Sequence, residues 1–235
     1  MRVAHKQMDF APPQEVDPLD RRTDGAFQAY KWGTALALAV VGLIIYEVLG
    51  RTDLGRSTTM LMTPIDRAIP LVPWTAWFYE PFYVSIFLIA VVGFRSRFVF
   101  NRTLVCVAFN IVVAALGHAF VRAEYPRPAL PVPAPDVSTA FLAFVYRIDP
   151  AGNVFPSLHV AHTFMISLLI SLDRPRLGRT LLAMSAILAL STLTTKQHFI
   201  ADVGAGLAMA FLGRTWASNQ VARRYLAAAA LNGSR

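Results

Sequence analysis

Six apolar stretches, each close to the length of a membrane-spanning helix, constrain the fold more than any other feature of the chain. A helix needs roughly 20 apolar residues to cross the hydrocarbon core of a bilayer. Only 15% of the 235 residues are charged, against about 25% in a typical soluble domain. The sequence therefore predicts an all-α integral membrane protein, a six-transmembrane-helix bundle. The predicted spans are Trp32–Leu49, Ala76–Phe94, Leu104–Val121, Ser157–Leu172, Thr180–Thr195 and Ile200–Ala217.

The distribution of positive charge predicts the orientation, because Lys and Arg are enriched in cytoplasmic segments. With a cytoplasmic N-terminus, 15 of the 22 Lys and Arg residues fall in cytoplasmic segments. We therefore expect a multi-pass protein of the bacterial inner membrane with both termini in the cytoplasm. A membrane catalytic domain is predicted at 31–217, between polar cytoplasmic tails at 1–30 and 218–235.

The net charge of +8 does not indicate nucleic-acid binding. The basic residues lie in short segments between the apolar stretches, without the aromatic-interleaved patch of a nucleic-acid surface. Cys106 is the only cysteine, which excludes an intrachain disulfide and a thiolate metal site.

Two predicted outer loops are too long to be simple connections. The first leads from Met62 into an aromatic belt at the start of the second span, formed by Trp74, Trp77, Phe78 and Tyr79. The second, at 123–153, is proline-rich and contains a short amphipathic piece, Val137–Tyr146. A lid, a rim for lipid access and a plain structural cap are all open interpretations of this second loop.

Two histidine motifs carry the predicted chemistry. Phe155–His159 (Phe-Pro-Ser-Leu-His) opens the fourth predicted span, and His198–Asp202 opens the sixth. An ionisable residue at the mouth of a span is costly, which makes it a functional-site hypothesis. Asp202 can accept a hydrogen bond from one ring nitrogen of His198 and leave the other free to attack. His159 is then the acid/base partner.

Basic and hydroxyl groups near these histidines predict a phosphate site. Pro156 suits the first position of a helix, where exposed N–H groups bind anions. Ser157 adds a hydroxyl, Arg127 a planar fork and Lys196 a point charge. The loop charges place all of them on the outer face. The reaction predicted is phosphoryl transfer through a phosphohistidine at the extracytoplasmic face.

Other polar residues receive lesser roles. His162 and Asp66 are possible secondary site residues, although a structural role is favoured for His162, and a solvated or salt-bridged position for Asp66 and Glu124. His118 and Asn110 are expected to form hydrogen bonds between helices.

A metal site built from His159, His162, His198 and Asp202 is an alternative, but the HExxH pattern of zinc enzymes is absent. The predicted chemistry therefore uses neither a metal nor another cofactor.

The two motifs resemble those of a known family. Phe155–His159 and Ser191–Gly206 are similar to the second and third signatures of the type-2 phosphatidic acid phosphatase superfamily. The Ser-Leu-His and Thr-Lys-Gln-His strings look most like its inositol phosphorylceramide synthase-like branch, as does Asp66–Tyr79. The resemblance covers roughly Thr63–Gly206.

The resemblance implies a six-helix membrane bundle and a role for each matched residue. His198 would be the phosphorylated nucleophile, Asp202 its orienting partner and His159 the acid/base. Ser157 and Arg127 would hold the phosphate.

The third and first signatures each depart from the family pattern. Ser191 matches the opening serine of the third signature, but Thr192 replaces the arginine after it. Arg127 stands in the first signature, but Phe120 replaces its lysine. Two phosphate-binding cations are therefore missing, with Lys196 a candidate replacement for one. Fewer cations suit a phosphodiester, which carries less charge than a monoester.

These observations predict a membrane lipid phosphotransferase or phosphatase whose substrate is a lipid phosphate or a phospholipid. Head-group transfer is favoured over hydrolysis of lipid phosphate monoesters or polyprenyl (pyro)phosphates. A non-enzymatic membrane transporter or scaffold is the alternative of another class. The sequence does not indicate the lipid backbone, the head group, the acceptor or the oligomeric state.

Overall fold

The apolar stretches form long helices in a computed structural model that describes residues 25–52, 59–149, 151–217 and 219. The predicted tails fall outside these residues, except for residue 219 and for 25–30, where the first helix already begins. The described residues contain eight α-helices, a 3₁₀ helix at Pro73–Phe78 and a π-helical turn at Gly213–Ala217. The α-helices are α1 (Gly25–Arg51), α2 (Pro64–Ala68), α3 (Glu80–Gly93), α4 (Arg97–Phe120), α5 (Val137–Ile148), α6 (Leu158–Asp173), α7 (Pro175–Thr194) and α8 (Ile200–Leu212).

Four of the helical segments are long and apolar enough to cross a membrane. They are α1, the continuous segment Pro73–Gly93, α4 and α7. This confirms the all-helical fold and supports a membrane protein. The other two predicted spans correspond to α6, with 16 residues, and α8, with 13 residues before the π-helical turn.

Helix α6 lies at the centre of the bundle and packs against α3, α4, α7 and α8. Most of its side chains are buried, which explains why it is apolar on all sides. The hydroxyls of Thr163 and Ser167 are satisfied by the carbonyls of His159 and Thr163, at 2.8 and 2.6 Å. The helix therefore carries His159 into the interior of the protein.

The two predicted outer loops pack on each other. Trp77 stacks on Phe141 of α5 with ring centroids 4.0 Å apart, and its indole N–H donates to Ser138 Oγ over 3.2 Å. Helix α5 confirms the predicted amphipathic piece, and Asp136 caps its first turn. The Tyr146 hydroxyl then donates to the carbonyl of Thr195 over 2.8 Å. Helix α5 therefore covers the end of the bundle where α7 turns into α8.

The predicted aromatic belt is wrong at one of its four residues. Trp74 and Trp77 are 56% and 43% exposed, as an interfacial belt requires, but Tyr79 is completely buried. The hydroxyl of Tyr79 donates to a carboxylate inside the protein, and this contact outweighs the interfacial preference of the ring.

Candidate active site

The start of α6 is fixed by a serine cap. Ser157 is the N-cap, and its hydroxyl oxygen accepts from the amide of Val160, as serine commonly does at this position. Pro156 therefore precedes the cap, and the prediction that it occupies the first helical position is wrong. Gly117 of α4 leaves room for this turn, because a Cβ there would lie 2.4 Å from Cδ of Pro156.

A tight turn after α7 brings the chain back toward α6. Lys196 adopts a positive φ of 57°. Its amide donates to Leu193, and the amides of Gln197 and His198 both donate to the carbonyl of Thr192. This is the hydrogen-bond pattern of a Schellman helix end. A left-handed conformation costs a non-glycine residue about 1–2 kcal/mol, so the surrounding contacts hold the turn.

Helices α6 and α8 meet at their N-termini. The Ser157 amide donates to the carbonyl of Asp202 over 3.2 Å. A Cβ on Gly206 would lie 2.6 Å from the Ser157 carbonyl oxygen, so only glycine permits this approach. As a result, the rings of His159 and His198 lie 5.9 Å apart between centroids, inclined by 62°. The structure thus brings together the two predicted histidines, which are distant in sequence.

The surroundings of His198 leave one ring nitrogen with its lone pair. Nδ1 lies 3.0 Å from the carbonyl oxygen of Val154 and 3.4 Å from Oδ2 of Asp202. Both neighbours are acceptors, so in the neutral ring Nδ1 carries the proton and Nε2 carries the lone pair. Asp202 is completely buried and also accepts from the Phe199 amide over 2.8 Å. The pairing of His198 with Asp202 matches the arrangement expected from the motif, with the Val154 carbonyl as an additional partner.

The surroundings of His159 are different, because both of its ring nitrogens face acceptors. Nδ1 lies 3.1 Å from the Tyr79 hydroxyl, which donates its own proton to Asp149 over 2.6 Å. Nε2 lies 3.4 Å from Oε1 of Glu80. This arrangement favours the doubly protonated imidazolium, which is an acid. Tyr83 packs on the same ring, with centroids 4.4 Å apart.

Glu80 and Asp149 are the acidic residues of this site that the sequence did not predict. Asp149 is buried and accepts from the hydroxyls of Tyr79 and Tyr46, at 2.6 and 2.5 Å. Glu80 had a signal in the sequence, because it is an acidic residue inside a predicted span. Asp149 had none, since its role depends on contacts between α5 and the rest of the bundle.

Glu80, Asp149 and His159 offer potential metal ligands within 4.8 Å of one another. No other such group occurs in the described ranges, so the alternative set of His159, His162, His198 and Asp202 does not form one. The Asp149 carboxylate accepts hydrogen bonds from two tyrosine hydroxyls, so its oxygens already have partners without a cation.

Arg127 lies beside the nucleophile candidate, but most of its donors are engaged. Its guanidinium donates to the carbonyls of Tyr146 and Asp149, at 3.1 and 2.8 Å, and to the side-chain oxygen of Gln197. Within the described residues, Arg127 Nε and Gln197 Nε2 are buried donors without a partner. Gln197 belongs to the Thr-Lys-Gln-His string, but the sequence did not predict it as a site residue.

The ammonium of Lys196 contacts the first outer loop. It donates to the carbonyls of Asp66 and Ile69. Burial lowers the pKa of Lys196, and the nearby Asp66 opposes this effect. These contacts differ from the phosphate contact predicted for Lys196.

Asp66 is buried, so the expectation of a solvated position is wrong. Its carboxylate accepts from the amides of Thr63 and Ile200, both at 2.8 Å. Burial raises the pKa of Asp66, but the hydrogen bonds from Thr63 and Ile200 outweigh it, and the net shift is downward. Asp66 therefore joins the first outer loop to the start of α8.

The remaining predicted site residues make structural contacts. Ser191 is buried in α7 and donates to the carbonyl of Leu188 over 2.7 Å. His162 lies 3.1 Å from the Tyr83 hydroxyl through Nδ1, which matches its expected structural role.

The two residues of α4 that were expected to form hydrogen bonds between helices, His118 and Asn110, have different surroundings. His118 lies 3.4 Å from the carbonyl of Pro156, which belongs to the turn before α6, so its contact is with that turn and not with another helix as expected. The side-chain amide of Asn110 has no partner among the described residues, so its expected hydrogen bond is not observed.

A family comparison agrees with this geometry. The family model of the PAP2 superfamily matches residues 103–226, more than half of the chain. The chain belongs to the PAP2 superfamily. PAP2 proteins are phosphatases or phosphotransferases that act on phosphorylated substrates, which supports an enzyme of that kind here. The match includes His159 and His198 but not Glu80. No curated protein and no solved structure matches the chain.

Proposed function

We propose that this PAP2 protein is a membrane-embedded lipid phosphotransferase that works through a phosphohistidine on His198. The observation that carries the proposal is the facing pair of rings with different hydrogen-bond surroundings. His198 meets acceptors through Nδ1, while both nitrogens of His159 face acceptors, across 5.9 Å between ring centroids. A nucleophile and an acid are thereby held side by side.

In the first step, Nε2 of His198 attacks the phosphorus of a phospholipid. The bond between phosphorus and the oxygen of the lipid alcohol breaks, and the imidazolium of His159 gives its proton to that oxygen. The positive charge that develops on the ring of His198 is stabilised at Nδ1 by Asp202 and the Val154 carbonyl.

In the second step, the hydroxyl of an acceptor gives its proton to the neutral His159, and its oxygen attacks the phosphorus. The bond between phosphorus and His198 breaks and restores the enzyme. Glu80 and Tyr79 stabilise the returning imidazolium. Water as the acceptor gives hydrolysis instead, so one site accommodates both alternatives. The proposal requires neither a metal nor another cofactor.

The phosphate is proposed to bind where donors lack partners. Arg127 Nε and Gln197 Nε2 are buried and unpartnered among the described residues, and such donors are costly unless a ligand satisfies them. Ser157 uses its oxygen as an acceptor at the helix cap, so its O–H is available to a phosphate oxygen. For Ser191 and Lys196 the phosphate role stays a prediction, and the observed contacts favour structural roles.

Head-group transfer, as in the inositol phosphorylceramide synthase-like branch, is proposed over monoester hydrolysis. Phe120, in place of the family lysine, is 73% exposed at the end of α4. Thr192, in place of the family arginine, donates to the carbonyl of Ala189 within α7. Neither position supplies a cation, which suits a substrate with a single negative charge.

The proposed setting is a bacterial inner membrane with six spans and both termini in the cytoplasm. The short α6 and α8 support this, because both begin at the site, α6 packs against the longer α4 and α7, and α8 packs against α6. The active site would then face the extracytoplasmic side.

The direct test is to detect phosphohistidine after purified protein in lipid nanodiscs receives a phospholipid with labelled phosphorus. We expect acid-labile, alkali-stable label on the protein and a new head-grouped lipid. His198→Gln should abolish both, while His118→Gln, a buried histidine of α4 outside the proposed chemistry, should retain both.

One result would change the proposed reaction, and another would refute the enzymatic function. Free phosphate released from monoester substrates, without a new lipid, would make the enzyme a phosphatase. Intact function of His198→Gln with no protein-bound label would favour the transporter or scaffold.

A further inference from the structure

A cavity of about 820 Å³ lies between α1, α3, α4 and α6. It falls within the range of about 300–1,000 Å³ that is usual for small-molecule sites. Glu80 and Phe94 both line it, and they stand 14 positions apart at opposite ends of α3. At 1.5 Å per residue the cavity therefore runs for about 21 Å, somewhat more than the half-thickness of a bilayer core of ~30 Å.

The two ends of the cavity differ in polarity. One end is formed by Glu80, Asp149, His159 and His162, and the other by aliphatic and aromatic residues such as Phe94. An elongated cavity with one polar end matches the shape of a lipid that has a small head.

The cavity reaches only one side of the active site. His159 and Glu80 line it, whereas His198, Arg127 and Ser157 do not. A molecule in the cavity would therefore place its polar end beside the acid/base residue.

The charges at the polar end favour a neutral head. Glu80 lies 3.4 Å from His159, and the buried carboxylate of Asp149 is close by. Arg51, also at this end, pairs with Glu47 one turn away, and Arg147 is exposed. Two carboxylates next to the reacting ring would repel a phosphate, but they accept a hydrogen bond from a hydroxyl.

The wall of the cavity contains side chains that are strongly exposed. Leu43 of α1 is 60% exposed, and Val84 and Leu88 of α3 are 51% and 49% exposed. Helix α1 packs mainly on α4 and touches α3 much less. The seam between α1 and α3 is therefore the route from the bilayer.

We infer that this cavity binds the lipid alcohol, a diacylglycerol-type molecule whose hydroxyl lies beside His159. The inference rests on the proposed function: the alcohol leaves from this position in the first step and attacks from it in the second. The phosphate and its head group occupy the other side, between His198 and Arg127. Substrate selection by the lipid backbone thus takes place along α1 and α3.

The binding test uses His198→Ala protein, which cannot turn over, and a photoactivatable diacylglycerol with its diazirine in an acyl chain. We expect labelled peptides from α1 and α3. Adding Leu88→Trp should lower the labelling by about tenfold, because an oversized side chain overfills the site. Leu116→Trp is the matched control, since Leu116 is similarly exposed, at 52%, but does not line the cavity.

Labelling unchanged by Leu88→Trp, or located on α7 and α8, would overturn the inference. Stronger competition by phosphatidate than by unlabelled diacylglycerol would overturn it as well. Melting temperatures of both tryptophan variants identify a general folding defect. If Leu88→Trp does not fold, the peptide map and the competition in the parent protein still decide the question.

A second measurement separates this inference from the proposed function. p-Nitrophenyl phosphate and p-nitrophenyl phosphorylcholine carry a P–O bond to cleave but no acyl chains. In the protein with His198 intact, Leu88→Trp should slow turnover of phospholipid and leave these substrates unaffected. Absent protein-bound phosphate with normal labelling would refute the proposed function alone. Equal loss of activity on lipid and chain-free substrates would refute the cavity assignment.

Discussion

The two histidines stand 5.9 Å apart between ring centroids, yet their surroundings are opposite. His198 faces a carbonyl and a buried carboxylate through one nitrogen only. His159 faces a tyrosine and a glutamate, one through each nitrogen, and it borders the apolar cavity. The comparison teaches that the same side chain suits the proposed role of nucleophile or of acid according to how many of its nitrogens meet acceptors.

The largest expected effect comes from removing the proposed acid, His159, and it should depend on the leaving group of the substrate. His159→Gln should slow the turnover of phospholipid by about 10²–10⁴-fold, the usual contribution of general acid catalysis. The first-turnover release of p-nitrophenolate from p-nitrophenyl phosphorylcholine should fall much less, because p-nitrophenolate leaves without a proton, whereas later turnovers still need His159 as the base of the second step. The ratio of the two rates, measured in the same nanodiscs, checks the prediction. A proportional loss on both substrates would contradict the assignment of His159 as the acid.

Removal of the negative charge beside His159 should have the next largest effect. Glu80→Gln keeps the shape but loses the charge that favours the imidazolium. Because the carboxylate is partly exposed, the pair should be worth about 1 kcal/mol, or somewhat under tenfold in rate. Initial rates on phospholipid measure this effect. Glu47→Gln is the control, and equal rates in the two variants would argue against a role for Glu80.

Near His198, substitutions of Lys196 test whether its ammonium binds phosphate or its backbone conformation forms the turn after α7. Lys196→Ala and Lys196→Gly both remove the ammonium, but only glycine adopts the positive φ without strain. If Lys196 serves the turn, the glycine variant should be the more stable of the two by about 1 kcal/mol and should retain more activity. Thermal unfolding and initial rates check this. Equal and severe losses of activity in two stable variants would instead support phosphate binding.

The smallest effect concerns pH and the link from the first outer loop to α8. Hydrogen bonds hold the pKa of Asp66 below its usual value, so the carboxylate contributes stability above the unfolded pKa of about 3.9. This contribution is lost as the pH falls through the lower folded pKa. The melting temperature of the wild type should therefore fall more steeply below about pH 4 than that of Asp66→Asn. Parallel curves would exclude this role.

The sequence was sufficient for the helices and for the two motifs, because both depend on local patterns. Hydropathy placed every predicted span on a helix, including the central α6. The pairing of His198 with Asp202 follows from a spacing of four residues across the start of α8, which is a local geometry.

Partners across the bundle could not be predicted in the same way. A cation such as Lys196 binds a phosphate or a backbone carbonyl with the same ammonium, and only the fold decides which is near. Likewise, nothing local shows that Tyr79 turns inward or that Asp149 ends α5 beside His159. Glu80 could have been predicted as a site residue, since acidic residues in apolar stretches are rare enough to indicate a function.

The boundary of the family match has an evolutionary consequence. The match begins at residue 103, so Tyr46, Tyr79 and Glu80 are encoded upstream of it, as is most of the wall at α1 and α3. Under the proposal, the matched segment carries His159, His198 and Asp202, while the upstream segment supplies most of the surface that receives the alcohol and also the Tyr79 and Glu80 contacts of His159. A lineage that diversifies the upstream segment would then change the acceptor and adjust the acid/base histidine together, and chimeric genes joined near residue 103 would test this in the laboratory.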